Sequence, residues 1–83
     1  MQIIYFASVR ETVGRDGDEY DLPDGIQSID DCLTWLSAQS SAHAAAFANP
    51  EKLRFALDQQ MAKSNASLKD ARELAIFPPV TGG

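Results

Sequence analysis

The sequence has very few of the residues that usually carry catalysis or bind metals. Among 83 residues there is one cysteine, Cys32, and one histidine, His43. A single cysteine excludes an internal disulfide, and one thiol with one imidazole leaves too few soft ligands for a zinc or iron–sulfur site. The sequence therefore predicts a protein with no metal and no bound cofactor.

Basic residues are also scarce, since seven lysines and arginines face twelve aspartates and glutamates and leave a net charge of −5. This sign is wrong for gripping nucleic acid or an anionic membrane surface. A basic protein partner is a better match, although excess negative charge can simply keep a small protein soluble. We therefore expect protein partners, with no nucleic acid and no membrane.

Long apolar runs are missing as well. No segment approaches the roughly 20 apolar residues of a membrane span, and residues 1–6 lack the basic region and long apolar core of a signal peptide. The sequence therefore predicts a cytoplasmic protein. With 45% hydrophobic and 23% charged residues, a chain of this length is expected to form one globular domain.

The spacing of apolar residues predicts a mixed α and β structure. Alternating or continuous apolar patterns predict strands at residues 2–9, 18–22, 54–61, 61–63 and 74–77. From Ser28 the spacing becomes helical, with one apolar stripe formed by Ile29, Cys32, Leu33 and Leu36. An alanine-rich piece, residues 42–48, predicts a short second helix that ends before Pro50. This order predicts an α+β fold, with a mixed sheet of four to five strands on one main helix.

The residues with reactive side chains have structural explanations. Cys32 lies on the apolar stripe of the main helix, where packing is the expected role. His43 lies in the alanine run with no nucleophile nearby, which favours a structural role at the surface. Trp35, at the margin of the stripe, fits the rim of the core and a partner contact equally well.

The C-terminal end is the segment that packing does not explain. After a strand ending at Phe77 come Pro78, Pro79, Val80, Thr81, Gly82 and Gly83. Prolines stiffen a chain in extended angles, and glycines are slim enough to enter a narrow channel. Most chain ends are frayed tails, but a frayed tail seldom needs this mixture. We therefore predict a domain over residues 1–78 and an extended C-terminal arm, residues 79–83, that delivers its carboxylate into a partner.

The closing segment, residues 75–83, resembles that of the small subunits of molybdopterin synthase, which are MoaD-like members of the ubiquitin-like β-grasp group. Tyr5-Phe6-Ala7, Arg10-Glu11 and Gly14 match the same family near the start of the chain. The resemblance runs end to end and implies a β-grasp fold. It also implies a protein that is not an enzyme on its own but is the sulfur-donating subunit of a two-subunit sulfurtransferase, whose active site is in the large subunit.

The resemblance implies that Gly83 is the one residue of this chain that reacts covalently. An E1-like enzyme would use ATP to adenylate its carboxylate, and sulfur transfer would leave a thiocarboxylate. In the large subunit, that sulfur would be transferred to cyclic pyranopterin monophosphate to build the dithiolene of molybdopterin. The implied assembly is a heterotetramer of two small and two large subunits. The implied docking residues are Phe77, Pro78, Pro79, Val80, Thr81 and Gly82.

Other functions remain open from the sequence alone. The alternatives are a sulfur carrier for thiazole or tRNA thiolation, a ubiquitin-like modifier conjugated through Gly83, and an interaction module with an inert tail. The two prolines before Val80 favour a role in molybdopterin synthesis.

Two positions depart from the family pattern. Ala71 stands where glycine is usual and predicts a different turn, such as a helical one. Asp58 stands where asparagine is common and leaves the local hydrogen bonding open.

Overall fold

The computed structural model describes residues 1–79 and has an α+β fold, as predicted. In chain order the elements are β1 (Gln2–Tyr5), α1 (Ala7–Val13), β2 (Gly17–Glu19), α2 (Ile29–Ser37), α3 (Ser41–Ala46), a 3₁₀ turn (Pro50–Lys52), β3 (Arg54–Leu57), β4 (Gln60–Ala62) and β5 (Glu73–Phe77). The five strands form one sheet in the order β2-β1-β5-β3-β4. β5 pairs in parallel with β1 and antiparallel with β3, so the last strand lies at the centre of the sheet.

The hydrophobic core lies between one face of the sheet and the helices. Ile3, Leu74 and Ile76 on the central strands are fully buried, and Ile29 and Leu36 of α2 meet them from the helical side. These side chains supply most of the apolar burial that stabilises so small a domain.

Helix α2 begins where the sequence predicts. The Ser28 hydroxyl accepts a hydrogen bond from the Asp31 amide at 3.1 Å, and the Asp31 carboxylate accepts one from the Ser28 amide at 3.2 Å. This reciprocal capping box satisfies amide groups that the first turn leaves without helical partners. Cys32 is fully buried on the predicted stripe, and burial raises its pKa to about 11, which fits the packing role. Trp35 is half-buried with its ring 4.9 Å from that of Tyr20, at the rim of the core.

The predicted strand over residues 2–9 is too long, because β1 ends at Tyr5 and α1 follows. Val9 and Val13, four residues apart, are the two side chains that α1 buries. Gly14 ends the helix at φ 93°, where its amide donates to the Arg10 carbonyl at 2.8 Å. Residues 1–79 therefore form three α-helices, where the sequence predicts one main helix and one short helix.

The other predicted boundaries differ by a few residues. Strand β2 covers Gly17–Glu19, where residues 18–22 were expected to be extended, and α3 covers Ser41–Ala46 in place of 42–48. The predicted strand over 54–61 is split by a two-residue hairpin turn, in which Asp58 and Gln59 have φ values of 48° and 71°. Left-handed angles at both central residues are typical of the type I′ turn.

The structure settles the two departures from the family pattern. One carboxylate oxygen of Asp58 accepts hydrogen bonds from the amides of Arg72 and Glu73, at 2.9 and 3.0 Å, and so ties the hairpin turn to the start of β5. The turn before β5 is not helical: the Ala71 amide donates to the Leu68 carbonyl, and Asp70 takes the left-handed angle, φ 63°. Ala71 itself avoids positive φ.

The expectation that His43 lies at the surface is wrong, since its exposed fraction is 1%. Its Nε2 lies 3.2 Å from the Asp18 carboxylate, and its Nδ1 lies 2.7 Å from the Ser40 hydroxyl. The Tyr5 hydroxyl donates to the same carboxylate at 2.7 Å, and Arg15 donates to it from the solvent side. An Nε2–H imidazole fits this network, donating to Asp18 and accepting from Ser40. His43 therefore joins α3 to the first two strands.

The network shifts the pKa values of Tyr5 and Asp18 in opposite directions. Burial raises the pKa of the Tyr5 hydroxyl far above its usual value, and its hydrogen bond to Asp18 raises it further. Burial also acts to raise the pKa of the Asp18 carboxyl, but hydrogen bonds from Arg15, Tyr5 and His43 outweigh it and hold that pKa below its usual value. Asp18 is therefore a stabilising carboxylate at neutral pH.

Asp18→Asn is expected to lower the free energy of unfolding at pH 7 by about 2 kcal/mol, because it removes hydrogen bonds to a charged group. Since the Asp18 pKa is lower in the folded protein, its charge stabilises the fold above the unfolded-state pKa of about 4 and loses that effect as pH falls through the lower folded-state value. Urea unfolding at pH 7 and pH 3 should show the wild-type advantage shrinking in acid. Asp24→Asn, at an exposed position, is the control, and an advantage that is independent of pH would contradict the assignment.

Candidate functional site

The base of the C-terminal arm is held firmly by the sheet. Tyr5 and Arg54, on the strands either side of β5, pair with Ile76 and Phe77. The Phe6 amide donates to the Ile76 carbonyl at 3.1 Å, beside the end of the strand. The next residues, Pro78 and Pro79, have no amide hydrogen to donate, so the ladder ends there as predicted. The arm therefore begins at the end of the central strand.

Three of the predicted docking residues are described by the structure. Phe77 and Pro78 are half-buried, and Pro79 is exposed. Val80, Thr81, Gly82 and the predicted reactive residue Gly83 lie outside the described residues. Their roles, and the division into residues 1–78 and 79–83, stay predictions.

Next to the arm, the sheet presents an apolar surface on the side away from the helices. The strand register places Ile4, Ala75, Ala56 and Met61 side by side across four neighbouring strands. Met61, on the edge strand β4, has an exposed fraction of 68%. We call this surface, together with Phe6 and Phe77 at its arm end, the open face. Its middle is flat because two of its side chains are alanine.

The arm end of the open face carries two aromatic rings. Phe6 is 47% exposed, and its ring centre lies 6.5 Å from that of Phe77 in an edge-to-face arrangement. The exposed large apolar side chains of the open face are those of Phe6, at its arm end, and Met61, on its edge strand, whereas Ala75 in its middle is buried.

Ala7, directly after Phe6, has φ 51° at the point where the chain turns from β1 into α1. A left-handed angle costs a non-glycine residue about 1 kcal/mol or more, and such strain tends to occur at functional sites.

Sequence reasoning predicted the arm, residues 79–83, but did not identify the open face. Ile4, Ala56 and Met61 come from three strands, and only the register shows that they are neighbours. The sequence did contain one signal for it: Ile3, Ile4 and Tyr5 are consecutive apolar residues of β1. Apolar residues on both sides of a strand indicate that neither face of the sheet is fully solvated.

No catalytic set accompanies this surface. Cys32 and His43 are both buried on the helical side of the sheet. Within residues 1–79, no three histidine, cysteine, aspartate or glutamate side chains come together in a group able to hold a metal ion. In the same part of the chain, every helix is too short or too polar to cross a membrane. What the site offers is a firmly held strand end beside an apolar face.

Comparison with known proteins agrees with this geometry. The model of the ThiS family matches residues 3–83. The chain belongs to this family. The chain is also 36% identical to the molybdopterin synthase sulfur carrier subunit of Escherichia coli K12, over 100% of this chain and 99% of that protein. It is 34% identical to the subunit of the same name from Chlamydomonas reinhardtii, over 100% and 98%. These matches confirm that it is a sulfur carrier of the molybdopterin synthase type.

Solved structures confirm the β-grasp fold of the carrier. The crystal structure of SAMP1 from Haloferax volcanii superposes with a TM-score of 0.73 at 26% identity, covering 100% of this chain and 98% of that one. A putative molybdopterin converting factor, subunit 1, from Pyrococcus furiosus has a TM-score of 0.72 at 24% identity, with 95% of each chain covered. At that identity, the second likeness supports the fold alone.

Proposed function

We propose that the carrier receives sulfur on Gly83 as a thiocarboxylate and donates it to the large subunit of molybdopterin synthase. The observation that carries the proposal is that the central strand β5 ends at Phe77, directly before Pro78 and the predicted arm. The carrier itself contributes no catalytic side chain, and the active site belongs to the large subunit. Residues 1–78 hold the arm, residues 79–83, in position.

The proposed chemistry uses only the terminal carboxylate of Gly83. An E1-like enzyme transfers AMP from ATP to this carboxylate and releases pyrophosphate, because a free carboxylate has no good leaving group and is a poor acyl donor. A persulfide sulfur of the donor then displaces AMP and forms an acyl disulfide. A second thiol attacks the donor's sulfur in that bond, so a disulfide forms on the donor side and the thiocarboxylate leaves on Gly83. In the large subunit this sulfur attacks cyclic pyranopterin monophosphate, and two deliveries complete the dithiolene. The carrier returns as a carboxylate.

The charge of the carrier supports the proposal that it delivers sulfur while the large subunit binds the pterin substrate. With a net charge of −5, its surface repels an anionic pterin phosphate, which the large subunit is expected to bind instead. The slim residues Gly82 and Gly83 allow the arm to enter a narrow channel, while Pro78 and Pro79 limit its bending.

The open face is the surface proposed to bind the large subunit. It is continuous with the base of the arm, so a partner that receives the arm also covers Phe6, Phe77 and Met61. Exposed aromatic and methionine side chains are typical centres of protein interfaces. The proposed assembly is a heterotetramer in which each of two large subunits binds one carrier, and the E1-like enzyme uses the carrier at a separate step.

Intact-mass measurement tests the sulfur step. After coexpression with its activating enzyme, the carrier should gain the mass difference between one sulfur and one oxygen, located by fragmentation at Gly83. A variant lacking Gly83 should keep its original mass under the same conditions. An unchanged wild-type mass would refute the carrier mechanism.

A second measurement tests the pathway. The thiocarboxylated carrier, mixed with the large subunit of a molybdopterin synthase and the pterin precursor, should produce the dithiolene and return to the carboxylate. Formation of the thiocarboxylate without any dithiolene would favour thiazole or tRNA thiolation, or conjugation to other proteins through Gly83.

A further inference from the structure

Charged residues border the open face differently at its two ends. At the arm end, Arg54 lies directly opposite Phe77 on the neighbouring strand. At the other end, Gln2 is flanked by Glu19 and Glu73. Directly opposed residues on neighbouring strands project from the same face of a sheet. The open face therefore runs from a positive end at the arm to a negative end away from it, in a chain whose net charge is −5.

The guanidinium of Arg54 is held in place by the backbone. Its Nη1 donates to the carbonyls of Leu53 and Glu51, at 2.8 and 3.3 Å. The ion pairs found within residues 1–79 involve Arg10, Arg15 and His43, and none involves Arg54. No hydrogen bond or ion pair within residues 1–79 uses its Nε or Nη2 donors. An arginine fixed in this way is suited to two-point binding of a carboxylate.

A partner on the open face would take this cation partly out of water. Arg54 and Met61 line the same groove, of about 440 Å³, between the 3₁₀ turn and β4. Lys63 and Glu51 line it too, so two positive charges and one negative charge border the groove and leave it with a net positive charge. Removing an unpaired charge from water is costly unless an opposite charge meets it. The partner surface at this point should therefore be acidic.

We propose that Arg54 is a specificity contact, which pairs with a carboxylate of the large subunit beside the entrance for the arm. The pair fixes the direction in which the open face docks, because the reversed orientation would bring Glu19 and Glu73 against that carboxylate. Like charges brought together at an interface oppose the wrong arrangement. This inference rests on the proposed function, since it assumes that the large subunit covers the open face.

Titration calorimetry of the carrier with the large subunit tests the inference. We expect Arg54→Gln to raise the Kd about fivefold, and Arg54→Glu to raise it about thirtyfold, because reversal adds repulsion to the lost attraction. Lys69→Glu makes the same change in net charge at an exposed turn outside the open face, and we expect a change of about twofold or less. Arg54→Gln should also weaken the salt dependence of the Kd.

The outcomes separate the inference from the proposed function. If Arg54→Glu and Lys69→Glu raised the Kd equally, net charge alone would explain the effect, and the specific contact would be overturned. Tight wild-type binding that Arg54→Glu leaves unchanged would overturn the inference and leave the proposed function standing. Failure of the wild-type carrier to bind would overturn the proposed function, and the inference with it. Thermal melts of each variant should match the wild type, since Arg54 is exposed.

Discussion

Adding one alanine after Gly83 is expected to abolish activation while leaving the melting temperature within about 1 °C of the wild type. The activating enzyme must bring the terminal carboxylate into contact with ATP, and a misplacement of about 1 Å at a reacting group can cost about 100-fold in rate. One extended residue moves the carboxylate by about 3.3 Å or more. The added residue makes no core contact, so the fold should be unaffected. The readout is ATP–pyrophosphate exchange with the activating enzyme, together with a thermal melt.

Gly83→Ala is the matched control for this extension. It keeps the length of the arm and its terminal carboxylate but adds a methyl group, so it should retain measurable exchange. Full exchange by the extended chain would show that activation does not depend on the position of the terminal carboxylate and would contradict this prediction. A large fall in its melting temperature would show that the terminus supports the fold.

Met61→Asp is expected to weaken binding to the large subunit by about 100-fold. Met61 is 68% exposed, so it contributes little to the core, but at an interface it would be covered. A carboxylate at that position would lose water without a partner, and changes of about 2 kcal/mol or more are typical of the centre of an interface. Surface plasmon resonance with immobilised large subunit gives the Kd directly.

Two controls accompany Met61→Asp. Met61→Leu keeps an apolar side chain of similar volume and should bind within a few-fold of the wild type. Gln60→Asp introduces the same charge one residue earlier, where the strand alternation directs the side chain to the opposite side of the sheet. If Gln60→Asp weakened binding as much as Met61→Asp, the open face would lose its assignment as the docking surface.

The elements that local sequence encodes were predictable. Helix α2 carries its own start signal in Ser28 and Asp31, and its buried stripe has the spacing of a helix. The end of β5 was equally predictable because Pro78 cannot continue a ladder. Helix α1 was missed because only Val9 and Val13 mark its buried side, and it follows an apolar strand after a single residue.

The features that depend on pairing between residues distant in sequence could not be predicted from the sequence. His43 is buried because Tyr5 and Asp18, 38 and 25 residues away in sequence, supply hydrogen bonds to its ring. The open face likewise joins residues from separate strands, so its extent follows from the register and not from any one segment. The position of Arg54 opposite Phe77 has the same origin.

The central position of β5 also determines how the carrier responds to mechanical load. If a partner pulled on the proposed arm, the tension would act along β5, which is paired with β1 on one side and β3 on the other. The ladder hydrogen bonds run across the strand, so this pull would load them all at once in shear and would not open them one at a time. On the proposed function, the folded domain could then be pulled away from a tight channel without unfolding from its C-terminal strand.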